Sequence, residues 1–311
     1  MPYNYAEQFA QMLDEKYSTE LTCYDLYQSN PQVQFMNAQT IKLPVVTTSG
    51  YKDHTRTQGF NAGTLGNTWE PKKLEHDRDI EFFIDPMDID ETNLALSVAN
   101  ITATFESEQA IPERDSYTYS KLFAAAQALQ TQSAFNGTLD TTALTVANVL
   151  AKFDAYMEAM DEAGVPEEGR LLYATPAVHT LIKNAQGINR EISVGGGALG
   201  INRLVHSLDD VELKRVPSAR LKTAYDFTDG CVPLAPTSTV AGAGQMHMIL
   251  VHPSCVVARN KHDYIKLFEP GSDSRTGDGY IYQNRAFWDA FLMNQKTPGL
   301  AINYTAGTTS A

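Results

Sequence analysis

An α+β fold is predicted by three features of this 311-residue sequence. Residues 143–185 read as helix, strand, helix. Residues 264–304 read as a succession of short strands. Ahead of both, one alternating strand runs into a long helical stretch. Composition agrees with a packed chain: 43% hydrophobic and 20% charged residues are globular proportions, not those of a disordered segment.

The formal charge is −13, with net −10 over residues 1–134 and −3 over 135–311. This excludes a protein that works by neutralising phosphates. Cys23, Cys231 and Cys255 share no CxxC or zinc-type spacing, so reduced thiols are expected. The first residues lack the basic start and apolar core of a signal peptide. No apolar run reaches the length of a membrane span. The expectation is a chain made in a reducing cytosol, with no membrane anchor.

Residues 3–27 carry helical spacing, with Tyr5, Phe9, Met12 and Leu13 on one face and Tyr17, Leu21 and Tyr24 continuing it. After Pro31 the chain reads as extended, and Pro44 restricts it to an edge. Residues 47–70 hold four glycines and many hydroxyls, which predicts a long functional loop or projecting arm. From Lys73 to Asp85, Leu74, His76, Arg78, Ile80, Phe82 and Ile84 alternate with Glu75, Asp77, Asp79, Glu81 and Asp85, broken only by Phe83. That is a strand with one acidic face. It suits either solvent and edge protection or a basic surface on a partner molecule, and its placement predicts a hairpin arm fed by the glycine-rich loop.

Asp88 and Glu91 give a capping-box-like helix start, with Leu94, Val98, Ile101 and Phe105 at helical spacing. Pro112 is expected to end or kink that helix. A second helix is predicted from about Ser116, with Tyr119, Leu122, Phe123, Ala126 and Leu129 inward, the pair forming a slightly broken spine ending near Gly137. Val146, Val149, Leu150, Phe153, Met157 and Met160 form the next helical stripe. Gly164 suits the left-handed position after its end, and Pro166 enforces the stop. Arg170–Ala174 reads as a strand covered on both faces. Thr175-Pro176 then caps and starts a helix, and Met246–Val251 reads as another buried strand. The C-terminal strands are Tyr264–Phe268, Tyr280–Tyr282, Arg285–Met293 and Leu300–Tyr304, with a polar turn at 271–279.

Motifs for chemistry were weighed against simpler explanations. Gly195, Gly197 and Gly200 formally match G-x-G-x-x-G, but no βαβ unit surrounds them, so a loop is expected. No P-loop, HExxH, GxSxG or EF-hand sequence occurs. His247 and His252 lie five apart in a strand, on opposite faces, and cannot share a metal. Asp77/Asp79 and Asp88/Asp90 could hold a divalent ion, but a solvated acidic face explains them without further features. Lys214, Arg215, Arg220 and Lys222 form a basic cluster that reads as a surface or subunit-contact patch. No catalytic, cofactor-binding or metal-ligating set emerges, and no enzyme is expected.

Taken in order, the extended arm, the glycine-rich loop, KKLEHDRDIEFFIDPMDIDET, the long helix, IPERDSYTYSKL, MDEAGVPEEGRLLYATPAVHTLIKNA and QNRAFWDAFLMNQKTPGLAINYTA carry a resemblance. The chain resembles the major capsid proteins of tailed bacteriophages with the Hong Kong 97-type fold, especially those of phages of Gram-positive bacteria. The resemblance runs over roughly residues 40–304, and rests on the ordered set rather than on any strict motif. It implies an N-terminal arm (1–46), an E-loop hairpin (47–87), a P-domain with a long spine helix (88–137 and 253–293) and a mixed α/β A-domain (138–252 and 294–311).

The function so implied is a structural subunit that self-assembles as hexamers and pentamers into an icosahedral virion head around double-stranded DNA, without sequence-specific DNA binding. Implied partners are further copies of the chain, a separate scaffolding protein, a portal protein and a decoration protein. Contact candidates are Phe9, Tyr17 and Tyr24 in the arm; Trp69, Glu75, Asp77, Asp79, Glu81 and Phe83 in the hairpin; the loop Gly195, Gly196 and Gly197; and Arg215 and Arg220. Some family members join neighbouring subunits through a hairpin Lys and a neighbour's Asn. Lys72 and Lys73 lie in the matching region, with no partner assignable from sequence. The alternatives carried forward are an encapsulin-type protein compartment and a metal-dependent enzyme using Asp77, Asp79, Asp88 or Asp90.

Overall fold

The computed structural model describes residues 20–30, 40–54, 60–87, 98–185, 207–271 and 277–309. The expected helix over 3–27 lies outside them except for α1, Tyr24–Gln28. The capping-box start at Asp88, and the loop holding Gly195, Gly196 and Gly197, also lie outside.

The observed spine is longer than expected. Helix α2, Val98–Phe105, passes through a π turn, Glu106–Ala110, into α3, Ile111–Thr131. Pro112 neither ends nor breaks it, because it sits in the first turn of α3, directly after the π turn. There a wider loop of backbone leaves fewer amides committed to the regular ladder, so the missing N–H costs little.

The spine divides two sheets. One has six strands in the order β4-β13-β10-β5-β7-β6. They are β4 Thr138–Asp140, β5 Leu171–Ala174, β6 Ser207–Leu208, β7 Val211–Arg215, β10 Gln245–Val251 and β13 Leu300–Thr305. Strand β10 runs antiparallel to both β13 and β5, while β5–β7 and β13–β4 are parallel. Both faces are covered. Leu171, Tyr173, Ile249, Val251 and Ile302 pack with Tyr119, Leu122, Phe123 and Ala126 of the spine. The alternate residues Leu172, Ala174, Met248 and Leu250 pack under α4, Val149–Glu162, and α5, Pro176–Asn184. Two covered faces explain why RLLYA and MHMILV read as unbroken apolar runs.

The local punctuation holds. Thr175 caps α5 by accepting from the Val178 N–H at 3.5 Å. Gly164 has φ +70°; its N–H donates to the Asp161 carbonyl and that of Val165 to the Met160 carbonyl, both at 2.9 Å, closing α4 as a left-handed cap. A Cβ at Gly164 would meet nothing within 4 Å, so Gly164→Ala isolates the backbone term. It is expected to lower stability by about 1 kcal/mol in denaturant titration. Helix α4 starts at Val149 rather than near 143, because Asn148 folds back on the preceding turn, accepting from the Thr145 N–H at 2.7 Å. Tyr156 is buried in place of Val146.

Tyr156 reaches Asp140 on β4. That carboxylate accepts from the Thr142 N–H (2.8 Å), the Thr142 hydroxyl (2.6 Å) and the Tyr156 hydroxyl (2.8 Å), and pairs with Lys152 at 2.9 Å. Burial pushes its pKa up, but these donors outweigh it and hold the carboxyl well below the usual range. A depressed folded-state pKa contributes stability above the unfolded pKa of about 4 and loses it as pH falls further. Asp140→Asn is therefore expected to flatten the acid limb of the stability curve below about pH 4, followed as denaturation midpoint against pH.

The second sheet has three strands in the order β11-β12-β3: β3 His76–Ile84, β11 Val256–Phe268 and β12 Tyr280–Leu292. Strands β11 and β12 form one long hairpin. The expected break between Tyr282 and Arg285 does not occur, because Asn284, though polar, donates to Glu106 of the spine at 2.8 Å. The alternating strand is also relocated. Strand β3 pairs along its whole length with β12, from Ile84 opposite Tyr280 to His76 opposite Trp288, and so belongs to this sheet rather than to a projecting hairpin.

The hairpin is built instead from β1, Thr40–Thr48, and β2, Leu65–Lys73, paired from Thr40–Lys73 to Thr48–Leu65. Segment 40–46, expected in the arm, is thus its first strand, and part of the expected loop is its second. Pro44 and Pro71 are tolerated because each strand of a two-stranded ribbon has one unpaired edge. Two short strands, β8 Tyr225–Asp226 and β9 Val232–Pro233, make a separate ribbon.

The segment around α1 is fastened to the spine by a buried carboxylate. Asp115, 0% exposed, accepts from the Thr22 N–H (3.1 and 3.2 Å) and the Cys23 N–H (3.0 Å) and pairs with Arg220 at 2.8 Å. Arg220, expected in an exposed basic patch, is 6% exposed and faces this carboxylate. It is withdrawn as a contact candidate. A basic residue close to others in sequence gave no sign that a carboxylate 105 residues away would claim it.

Candidate functional site

Among the described residues, two elements present most of the side chains available to a partner. In the β1–β2 hairpin, Val46, Leu65 and Trp69 are exposed, and Tyr51 and Phe60 near its tip are fully exposed. Ribbon geometry accounts for this: away from its base, no other strand or helix among the described residues covers these side chains. A cluster of uncovered large apolar side chains on a projecting arm is the usual mark of an interaction surface. The base is anchored differently. Ile41, Leu43 and Leu74 pack with Val257, Phe287 and Phe291 in a third small core, so the arm is rooted on the three-stranded sheet.

The second element is that sheet. The alternation read from sequence is borne out in space. His76 and Ile84 are buried, and Arg78, Ile80 and Phe82 are half-buried. Toward the spine, Phe82 meets Phe105 edge-on with centroids 5.5 Å apart, Arg78 pairs with Glu113 at 2.7 Å, and His76 stacks on Tyr117 at 3.7 Å. Glu75, Asp77, Asp79, Glu81 and Phe83 are exposed. Their acidic face is partly matched within the chain. Arg285 holds Asp77 through two bonds of 3.0 and 2.6 Å, and this guanidinium keeps the Asp77 carboxyl below its ordinary pKa. Glu75 pairs with Lys121 at 3.3 Å, and Gln283 donates to Glu81.

Where β3 meets the spine, Asp289 on β12 is 0% exposed. It accepts from the Tyr117 hydroxyl (3.0 Å), the Glu75 N–H (3.0 Å) and the Ala290 N–H (2.8 Å). Burial raises its pKa, with Lys121 and these donors opposing. Arg114 lies over the Trp288 ring at 5.0 Å. This polar knot ties the segment between β2 and β3, through the Glu75 N–H, to β12 and the spine.

Of the remaining candidates, Tyr24 is exposed on α1 and Arg215 is exposed at the end of β7. Phe9, Tyr17, Gly195, Gly196 and Gly197 lie outside the described residues. Sequence reasoning did not single out Tyr51, Ile265 or Leu267, which are exposed. The first is legible as an aromatic in a glycine-rich stretch. Ile265 and Leu267 lie on β11 away from the part of the sheet the spine covers, and nothing in their spacing separates them from core residues. Asp77 and Asp79 share the exposed face of β3, and among the described residues no group of three or more His, Cys, Asp or Glu side chains is placed to hold a metal. Also among those residues, no helix is long and apolar enough to cross a membrane.

No protein-family model matches the sequence, and no curated protein sequence matches it. Solved structures do. The chain is similar to one described as the capsid structure of the cyanophage P-SCSP1u, at TM-score 0.69 and 13% identity, over 98% of this chain and 94% of that one. A chain of the bacteriophage PhiM1 mature capsid is similar at TM-score 0.65 and 13% identity, over 96% and 91%. One from Mycobacterium phage Che8 is similar at TM-score 0.62 and 13% identity, over 96% of each. The expected fold class is therefore met along nearly the whole chain: this is the fold of phage capsid chains.

Proposed function

We propose that the chain is the major capsid subunit of a tailed bacteriophage, assembling as hexamers and pentamers into an icosahedral head that encloses double-stranded DNA. The observation that carries this is the near full-length correspondence of this chain with capsid chains over almost their whole length. In this reading the β1–β2 ribbon is the projecting hairpin. The spine with the three-stranded sheet is the P-domain, and the six-stranded sheet with α4 and α5 is the A-domain. The uncovered apolar side chains of the ribbon would be covered by a neighbouring copy, with a scaffolding protein, portal and decoration protein as further partners. The charge of −13 suits a wall that contains DNA without gripping it.

Electron microscopy of the purified chain, with and without a scaffolding protein, tests the reading, together with the nucleic-acid content of the particles. Closed shells with DNA are expected. Shells loaded with protein cargo would indicate a compartment instead, and a persistent monomer would overturn assembly. A second experiment addresses the acidic face. Reversing Glu75, Asp77 and Asp79 together to lysine is expected to reduce particle yield severalfold, with little change in subunit melting, because these are exposed groups. Normal yield would remove that face from the contact.

A further inference from the structure

The three-stranded sheet, in the order β11-β12-β3, ends in two edge strands of opposite character. Register fixes which side chains share a face. Glu81, Gln283 and Lys266 form one row across the strands, and Asp79, Arg285 and Tyr264 form another. The alternate rows, Ile80–Asn284–Ile265 and Phe82–Tyr282–Leu267, lie on the opposite face, toward the spine, where Phe82 meets Phe105. On the face turned from the spine, β3 therefore carries Asp77, Asp79 and Glu81, while β11 carries His262 and Lys266. The acid of β11, Asp263, points the other way and pairs with Arg114 at 3.7 Å.

The near part of β11 is held by its own chain. The side chains of Ser29 and Asn30 donate to the Val256 carbonyl at 2.9 and 2.7 Å, and Arg259 donates to the Tyr27 carbonyl at 3.1 Å. The far part is not covered in this way. Every residue from His262 to Leu267 is exposed, and among the described residues no strand pairs with its outer edge. Ile265 is 64% and Leu267 44% exposed, although Ile80 and Phe82, in the same rows on β3, are half-buried. A straight edge of this length, free of proline and glycine and bearing large apolar side chains, is a template for another strand.

We propose that β3 of one copy lies along the outer edge of β11 of the next, continuing the sheet from chain to chain. In a continued sheet both copies keep the same faces. The acidic row of β3 then comes beside His262 and Lys266, and Ile80 and Phe82 come beside Ile265 and Leu267. Opposite charges meet on one face and apolar side chains on the other. Pairing like with like lacks this match: β3 beside a second β3 sets carboxylates together, and β11 beside a second β11 sets lysines together, both repulsive. The contact is therefore head-to-tail, a geometry that closes rings instead of stopping at a pair. The inference rests on the assembly reading above and names the surface that the acidic strand meets, one separate from the β1–β2 ribbon.

Charge exchange in the full-length chain tests this. Asp79→Lys reverses one edge and Lys266→Glu the other; Asp77 is left in place because it holds Arg285 within the chain. Each single variant is expected to melt as the wild type does and to give at least about tenfold fewer particles by sedimentation. The chain carrying both changes is expected to recover to within about threefold of the wild-type yield, because each edge again meets its opposite. Ile265→Ala with Leu267→Ala is expected to lower yield and spare melting; an unchanged yield would remove the apolar face from the contact. If a reversed chain fails to fold, Asp79→Asn and Lys266→Gln replace the reversals, and the two together are then expected to cost no more than one alone. Single variants that assemble normally, or a double variant as defective as either, would overturn the contact and leave assembly standing. A wild-type chain that forms no oligomer, with or without a scaffolding protein, would overturn assembly itself and this contact with it.

Discussion

Replacing Asp115 by alanine is expected to cost the subunit about 3–5 kcal/mol. The carboxylate is fully buried and is the ion-pair partner of a buried arginine, Arg220, at 2.8 Å. It also accepts from the backbone N–H groups of Thr22 and Cys23. Alanine removes the shared acceptor at once, so the buried guanidinium loses its carboxylate and two backbone amides lose their acceptor. That is a large part of the 5–15 kcal/mol typical of a whole domain. Urea unfolding of the isolated subunit, followed by circular dichroism, measures it. Asp115→Asn, which keeps an acceptor oxygen, is expected to lose less. Replacing Asp115 and Arg220 together by Leu and Met is expected to recover much of the loss, because no orphaned charge remains. A change below about 1 kcal/mol in Asp115→Ala would mean that the N-terminal segment is not held by this carboxylate.

Truncating the exposed apolar side chains of the hairpin is expected to do the opposite, abolishing assembly while sparing the fold. Tyr51 and Phe60 are fully exposed, and Trp69 is 53% exposed. Removing their rings takes little packing from the subunit itself. If they fill pockets on a neighbouring copy, each aromatic anchor contributes about 2 kcal/mol to that contact. A loss of this size weakens one contact about 30-fold. Because a shell repeats the same contact at every subunit, the triple change Tyr51→Ala, Phe60→Ala, Trp69→Ala should leave soluble, folded subunits and no particles. Sedimentation and thermal melting of the variant read the two effects separately. Normal particles from the triple variant would place the assembly energy elsewhere.

How much was legible depended on whether the signal was local. The π turn, Glu106–Ala110, has no signature in residue spacing, so Pro112 reads as an end or kink although the helix passes through it. Strand β2 was hidden by Pro71 and a glycine, and by having no covered face over most of its length to impose alternation. Strand β3 is legible residue by residue, yet its partner is not, because antiparallel pairing with β12 joins positions 196 (Ile84–Tyr280) to 212 (His76–Trp288) residues apart. Arg215 and Arg220 stand five apart in sequence and were read alike. One is exposed and the other buried, and only the location of Asp115 separates them.

By itself the sequence determined the elements whose causes lie within one turn or one strand. These are the Gly164 cap, the Thr175–Pro176 helix start, the doubly covered strands β5 and β10, and the alternation of β3. Steric and periodic constraints of that kind act between neighbours along the chain. The tertiary structure alone decided which strands pair, which charges are neutralised inside, and which apolar side chains stay uncovered. It also set the acidic strand β3 and the basic end of β11 at opposite edges of one sheet. Those outcomes turn on contacts between residues far apart in sequence, where a charge or an apolar group looks the same until its neighbour is known.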